Sequence, residues 1–262
     1  MNCTTIRSAL CLVLLVVAGC GSNPERELQQ TDPIRLYDRA RRSLSSQDYD
    51  NAIKLYEALA ARYPFTDQAR QARLDLIYAY YRARESESAI DAAETFIREN
   101  PTHPRVDYAW YIKGLVDFER TPNKVERLFG IDLTERPPTT ARKAFDSLST
   151  VVERYPKSEY AHDARQRMIH LRNRLADYEV HVAKYYLKRG AYVAAAQRAK
   201  QAVEQYDGAP STRDALEVLI AAYERLDLKE LASQSREVYR LNYDGEPEHR
   251  TAARDRPWWK LW

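Results

Sequence analysis

Residues 183–199 read AKYYLKRGAYVAAAQRA, and this stretch decides the fold. Its small and aromatic residues have the spacing of two helices joined by a tight turn: Ala183, Tyr186, Gly190, Tyr192, Ala195 and Ala199. Small side chains allow two helices to approach closely, and large side chains fill the remaining gaps. The stretch therefore predicts a packed helix pair.

Four other segments carry this pattern, with a period of about 34 residues. The first begins at Asp32-Pro33, a helix N-cap followed by proline at the first helical position. The third opens with Trp110 and Gly114, but its second helix arrives late, which predicts an insertion over 121–138.

Two details refine the C-terminal part of the array. The fourth repeat is preceded by helical sequence, so we expect one long helix over 158–188. Residues 211–214 (Ser-Thr-Arg-Asp) predict a capping box at the start of the fifth repeat.

Five such segments predict an all-α protein, a tetratricopeptide-repeat superhelix of five helix pairs with an insertion in the third. Each pair buries its apolar face only against its neighbours, and the array presents a concave side. The alternative is an irregular helical bundle.

Composition agrees with this fold class and narrows the function. The chain has 44% hydrophobic and 30% charged residues with only 7 Gly. Its 41 Lys and Arg are scattered among 38 Asp and Glu, whereas nucleic-acid binding requires a concentrated cationic face. We therefore expect no nucleic-acid partner.

The N-terminus has the features of a targeting sequence. Arg7 precedes an apolar run over 9–17 that is too short to remain as a membrane span, which indicates a signal peptide. It ends in Val17-Ala18-Gly19-Cys20, which resembles the bacterial lipobox, where the cysteine thiol receives diacylglycerol. The alternative is an ordinary signal peptide with a chance cysteine.

These features predict four segments. They are a signal peptide over 1–19, a lipidated flexible tether over 20–32, the repeat domain over 33–244 and a mobile Trp-rich tail over 245–262. Gly21 follows the cysteine where an inner-membrane retention signal typically has Asp, so we expect the outer membrane, at its periplasmic face. Several acyl chains would make this attachment effectively permanent.

Counting from the repeat starts places aromatic and basic side chains on the concave side: Tyr37, Arg41, Tyr78, Tyr81, Arg82, Tyr108, Tyr111 and Phe118. Such a groove suits an extended or partly helical peptide that carries aromatic side chains and an acidic group or free carboxylate. The alternative is that these tyrosines simply pack between helices.

The tail concentrates three of the four tryptophans, Trp258, Trp259 and Trp262, beside basic residues. This composition suits a membrane interface or an anchor in a partner's pocket. An unstructured end with exposed aromatics is the third possibility.

No sequence motif for catalysis is found. The chain has no phosphate loop, no Gly-x-Ser-x-Gly elbow and no His-Glu-x-x-His pair, and all three cysteines precede residue 21. His162, His170 and His181 fall along one predicted helix, too far apart to bind one ion together. We expect no enzyme activity, no metal and no cofactor apart from the covalent lipid on Cys20.

Three stretches carry a family resemblance. They are FIRENPTHPRVDYAWYIKG over 96–114; FGID at 129–132 with Arg136-Pro137, Ala141-Arg142 and Ala144-Phe145; and 175–192, which contains LADYE and RGAY. Together they resemble the BamD (ComL) family of outer-membrane lipoproteins, over nearly the whole mature chain. The tryptophan-rich tail is not part of the family pattern.

The resemblance implies a subunit of the β-barrel assembly machine. Its partners would be a barrel subunit with POTRA domains, other assembly lipoproteins and unfolded outer-membrane proteins. The arginine that the family uses against the POTRA domain falls on Arg198, although its neighbours here are mostly alanine.

The resemblance also suggests what the groove binds. Barrel proteins often end in an aromatic residue with a free carboxylate, which complements a groove of tyrosine and arginine. The alternatives are a pilotin-like repeat lipoprotein that assists secretin or type IV pilus assembly, and a peptidoglycan-bound accessory of a periplasmic enzyme. A pilotin would lack the insertion and the turn over 100–104.

Overall fold

A computed structural model describes residues 32–120, 137–243 and 247 of the 262-residue chain. The predicted signal peptide, Cys20, the tether up to residue 31, most of the insertion and nearly all of the tail lie outside these residues. The regular secondary structure of the described residues is entirely α-helical. The all-α prediction is therefore confirmed.

Ten helices lie in the described residues and follow one another in five pairs, as the repeat pattern predicts. They are α1 (Pro33–Ser45) with α2 (Tyr49–Arg62), α3 (Asp67–Arg82) with α4 (Ser86–Glu99), α5 (Val106–Glu119) with α6 (Thr139–Arg154), α7 (Ala161–Lys188) with α8 (Tyr192–Gln205), and α9 (Thr212–Arg225) with α10 (Lys229–Asn242).

The chain divides into two compact units, Met1–Ser88 and Ala89–Trp262. In the first unit, α2 packs against both α1 and α3. The core between these helices alternates large and small apolar residues: Leu36, Ala40, Ala52, Leu55, Tyr56, Leu59 and Ala72.

In the second unit, consecutive helices from α5 to α10 pack against one another. One close approach between helices involves Gly114 of α5. A Cβ atom added there would lie 2.8 Å from both Cγ and Cδ2 of the buried Leu148 on α6. Helix α8 also has only small side chains at its buried positions: Ala195, Ala196, Ala199 and Ala202.

The helix boundaries can be compared with three predictions: the N-cap at Asp32, the start of the long helix and the capping box at residues 211–214. Asp32 caps α1 by accepting a hydrogen bond from the backbone N–H of Ile34, as predicted. The long helix α7 begins at Ala161, three residues later than expected, because Ser158 takes part in a turn in which its Oγ accepts from the N–H of Tyr160.

The prediction of a capping box at residues 211–214 was wrong. Ser211 lies at the N-cap of α9 in a helical backbone conformation, and its side chain makes no capping hydrogen bond. Asp214, the expected reciprocal partner, accepts a hydrogen bond from Lys184 of α7 instead. A contact between neighbouring helix pairs therefore replaces the local cap.

Within the described part of the chain, none of the helices combines the length and the hydropathy that a membrane span requires.

Candidate functional site

The predicted groove residues fall in both units. In the first, Arg82 is the centre of an exposed cluster at the end of α3. Its guanidinium lies 5.2 Å from the ring centroid of Tyr49 and 5.5 Å from that of Tyr78, and it donates a hydrogen bond to the Tyr78 hydroxyl. The Tyr78 and Tyr81 rings are 6.4 Å apart. We call these four residues the Arg82 patch.

Tyr37 and Arg41 lie on α1 of the same unit. The Tyr37 hydroxyl donates to Oδ2 of Asp75 at 2.7 Å, and the Tyr56 hydroxyl approaches the same oxygen at 3.4 Å. Burial, followed by the interaction with Asp75, raises the pKa of both tyrosines. The Tyr37 hydroxyl therefore joins α1 to α3, while the Arg41 side chain is exposed.

In the second unit, Tyr108 and Tyr111 lie side by side with Tyr160, which precedes α7. The Tyr111 and Tyr160 rings stack with centroids 4.7 Å apart and an interplanar angle of 19°. The Tyr108 ring centroid is 5.5 Å from that of Tyr160, and the Arg105 guanidinium lies 5.0 Å from the Tyr108 centroid. We call Arg105, Tyr108, Tyr111 and Tyr160 the Tyr160 row.

Asp163 fixes one end of this row. It accepts hydrogen bonds from the Tyr111 hydroxyl at 2.7 Å and from Nε of Arg167 at 2.5 Å. Burial opposes ionisation of Asp163, but these hydrogen bonds outweigh it and lower its pKa. Burial and the bond to Asp163 together raise the pKa of Tyr111 to about 12. Phe118, also predicted for the groove, packs under the Arg167 guanidinium at 4.9 Å.

Sequence reasoning missed Tyr160, Asp163 and Arg167. The repeat template counts positions from each repeat start, and these residues precede the fourth repeat: Tyr160 is the N-cap of α7, and Asp163 and Arg167 lie in its first two turns. Their spacing of three and four residues places them on one helix face, which was a signal available in the sequence.

Arg198, the predicted partner-binding residue, lies on α8 beside a buried carboxylate. Its Nη1 donates to Oε2 of Glu179 at 2.9 Å, and Nη2 of Arg142 lies 3.7 Å from the other carboxylate oxygen. Only 2% of Glu179 is exposed, so its charge depends on these two guanidinium groups. The same hydrogen bond raises the pKa of Arg198.

These residues line a cavity of about 540 Å³, which we call the Glu179 pocket. Its wall carries three basic side chains and two carboxylates, and two prolines at the end of the insertion form one edge: Pro137, Pro138, Thr139, Arg142, Lys143, Asp146, Tyr178, Glu179, Arg198 and Gln201. The Arg198 side chain remains 40% exposed and Arg142 46% exposed. Both guanidinium groups thus keep surface available for an incoming acidic group.

Comparison with known proteins gives concordant matches. The family model YfiO, described as an outer membrane lipoprotein, matches residues 29–238. The chain is 38% identical over 260 residues to the outer membrane protein assembly factor BamD of Neisseria gonorrhoeae, covering 98% of this chain and 97% of that protein. It is 36% identical over 242 residues to the assembly factor BamD of Vibrio cholerae, covering 92% and 99% of the two chains.

Among solved structures, the crystal structure of MamA protein aligns over 81% of this chain and 96% of its own, with 16% identity and a TM-score of 0.40.

The geometry of the pocket predicts a structural role for its carboxylate. Replacing Glu179 by Gln leaves Arg142 and Arg198 without their shared counter-charge, so the free energy of unfolding should fall by about 2 kcal/mol. The measurement is urea unfolding followed by circular dichroism. Glu204→Gln is the matched control, because Glu204 is 61% exposed and its pair with Lys200 should contribute less than about 0.5 kcal/mol. Equal losses in the two variants would contradict the role assigned to Glu179.

Proposed function

Because this chain belongs to the YfiO family of outer membrane lipoproteins, we propose that it acts as a non-catalytic scaffold of the β-barrel assembly machine. In this role it binds unfolded outer-membrane proteins and the POTRA-barrel subunit, and promotes insertion of the substrates into the outer membrane. The observation that carries the proposal is near full-length similarity to proteins named outer membrane protein assembly factor BamD.

The Glu179 pocket supports the contact with the barrel subunit. Arg198 is held by Glu179 at 2.9 Å, so its guanidinium is oriented before a partner arrives. An oriented arginine loses less conformational entropy on binding than a free one. We assign the pocket to an acidic side chain of the POTRA domain, which would complete a charge-assisted hydrogen bond with the exposed part of Arg198.

Charge reversal at Arg198 tests this assignment and the proposed function together. Affinity purification of the tagged chain from detergent-solubilised outer membranes should recover a POTRA-barrel protein and other assembly lipoproteins. With Arg198→Glu, recovery of the barrel protein should fall by roughly tenfold or more, because losing a charged partner at an interface costs at least about 2 kcal/mol. Arg198→Gln, which keeps a donor for the buried Glu179, should also lower recovery, and circular dichroism must show that both variants are folded.

Lys200→Glu provides the matched control, since Lys200 lies on the same helix and is 57% exposed. It should leave recovery unchanged. If the purification yields a secretin and no POTRA-barrel protein, the pilotin-like alternative replaces our proposal.

Substrate binding is assigned to the Arg82 patch and to the Tyr160 row, each considered alone. Both combine tyrosine rings with a guanidinium at cation–π distance, between 5.0 and 5.5 Å. Aromatic faces stack on aromatic side chains, and arginine pairs with a carboxylate. The full proposed set is Tyr37, Arg41, Tyr78, Tyr81, Arg82, Tyr108 and Tyr111. Because the hydroxyl of Tyr37 is already hydrogen-bonded to Asp75, Tyr37 would contact the substrate through its ring.

A peptide that ends in an aromatic residue tests the assignment. Its free acid should bind more tightly than its C-terminal amide, and Arg82→Gln should remove the difference if the Arg82 patch reads the carboxylate. Tyr78→Ala should weaken binding at the Arg82 patch, and Tyr111→Ala should weaken binding at the Tyr160 row, each by roughly three- to tenfold, the effect of losing one aromatic or cation–π contact. Isothermal titration calorimetry gives the affinities.

Tyr185→Ala serves as the control for these substitutions. Tyr185 is an exposed tyrosine under a guanidinium, that of Arg189 at 5.5 Å, but it belongs to neither cluster. Its replacement should not change peptide affinity. Full binding by correctly folded Tyr78→Ala and Tyr111→Ala proteins would remove the substrate role of both clusters.

We also propose that Cys20 carries the lipid that holds the chain at the periplasmic face of the outer membrane, with no other cofactor. Cys20→Ala should abolish incorporation of labelled palmitate and recovery in the outer-membrane fraction, because the acylated thiol is the anchor. Cys11→Ala, a cysteine within the apolar run of the signal peptide, should preserve both. Mass spectrometry that finds an unmodified mature N-terminus on the wild-type chain is the result that would refute the anchor.

A further inference from the structure

An apolar stripe is exposed along the last helix, α10. Leu231 is 41% exposed, Val238 43% and Leu241 79%, and Leu228 at the N-cap is 41% exposed. Residues spaced by three, four and seven positions lie on one face of a helix. We call these four residues the α10 stripe.

The position of α10 in the array explains why the stripe is uncovered. The earlier second helices α2, α6 and α8 each pack against the helix before them and the helix after them. Helix α10 packs against α9 through Ala232, Ser235 and Tyr239, which are buried. The stripe lies beside this buried face, where the first helix of a further repeat would pack. Repeat arrays normally require a polar cap at this position.

The sequence supplies an apolar segment beyond this helix. Nineteen residues follow Tyr243, and they include Trp258, Trp259, Leu261 and Trp262. We propose that residues 258–262 dock onto the α10 stripe of the same chain and cover the end of the array.

The length of the connection permits this contact. Fourteen residues separate Tyr243 from Trp258 and can span up to roughly 45 Å, whereas α10 with its 14 residues is about 21 Å long. The segment therefore reaches every position of the stripe. Because both partners belong to one chain, the effective concentration is of the order of millimolar, so a weak contact is sufficient.

Charge favours the same occupant. Glu230 and Glu237 are exposed on α10 and precede Leu231 and Val238 by one residue, so they border the stripe on its outer side. The segment after residue 249 carries Arg250, Arg254, Arg256 and Lys260 against a single acidic residue, Asp255. The tryptophans thus match the stripe, and the flanking cations match its acidic border.

Tryptophan fluorescence tests the docking. The chain from Gly21 onward contains every residue that the structure describes and lacks Cys20, the proposed site of the lipid. In this chain, Trp110→Phe leaves the three tail tryptophans as the only indoles. We expect a blue-shifted emission maximum and protection from acrylamide, and both should be lost with Leu241→Lys. Leu241 is 79% exposed, so this change leaves the core intact.

Ser233→Lys is the matched control, because it adds the same charge to an exposed position on the far side of α10 from the stripe. It should keep the blue shift. Emission that is unaffected by Leu241→Lys would overturn the proposal. So would a blue shift that disappears on dilution, which indicates a second copy, or one that appears only with phosphatidylethanolamine–phosphatidylglycerol vesicles, which indicates a membrane site.

A photo-crosslinking amino acid at position 241 gives an independent measurement in the chain with all four tryptophans. In a mixture of ¹⁴N- and ¹⁵N-labelled chains, position 241 should cross-link to the peptide 257–262. Both cross-linked peptides should carry the same nitrogen isotope, because they belong to one chain. Mixed-label products, or no cross-link to this peptide, would contradict docking within one chain.

Discussion

Close approach of successive helices is the constraint on which the rest of this structure depends. At Gly114 there is no room for a single Cβ beside Leu148, and the residues that α8 buries are all alanine. Large side chains at these positions would separate the helices and expose the core on both sides. Because these contacts between successive helices are so narrow, longer side chains must lie at the edges of each contact. Arg198 does so, between the buried Ala196 and Ala199.

The narrow contacts also determine how charge is accommodated. A carboxylate lies at each of three helix–helix contacts, and tyrosine, glutamine or arginine donors satisfy it: Asp75 by Tyr37 and Gln71, Asp163 by Tyr111 and Arg167, and Glu179 by Arg198 and Arg142. A buried carboxylate without such donors would be strongly destabilising. The same side chains therefore have two uses. Their polar atoms join helices, and their rings or remaining guanidinium surface stay available to a ligand.

This double use explains what the sequence could and could not predict. The helix pairs follow from small and large residues at fixed spacing, and the cap at Asp32 follows from local chemistry, so both could be read directly. The capping box at residues 211–214 failed because Asp214 makes a contact with Lys184, thirty residues earlier, that no local pattern encodes. The partnership of Glu179 with Arg198 is equally non-local, and Tyr160 lies outside the repeat template.

The first and last helices of the array each have a face that no neighbouring repeat covers, and the two faces differ in composition. At the first helix, Arg35, Asp38, Arg39 and Arg42 are exposed beside a single exposed apolar residue, Ile34, so the outer face of α1 is mostly charged. At the last helix, the corresponding free face carries leucine and valine. An array that needed no cover at either end would be expected to have polar residues on both, since exposed apolar stripes promote association. The asymmetry therefore indicates that the C-terminal end of the array is built to be covered, and the N-terminal end is not.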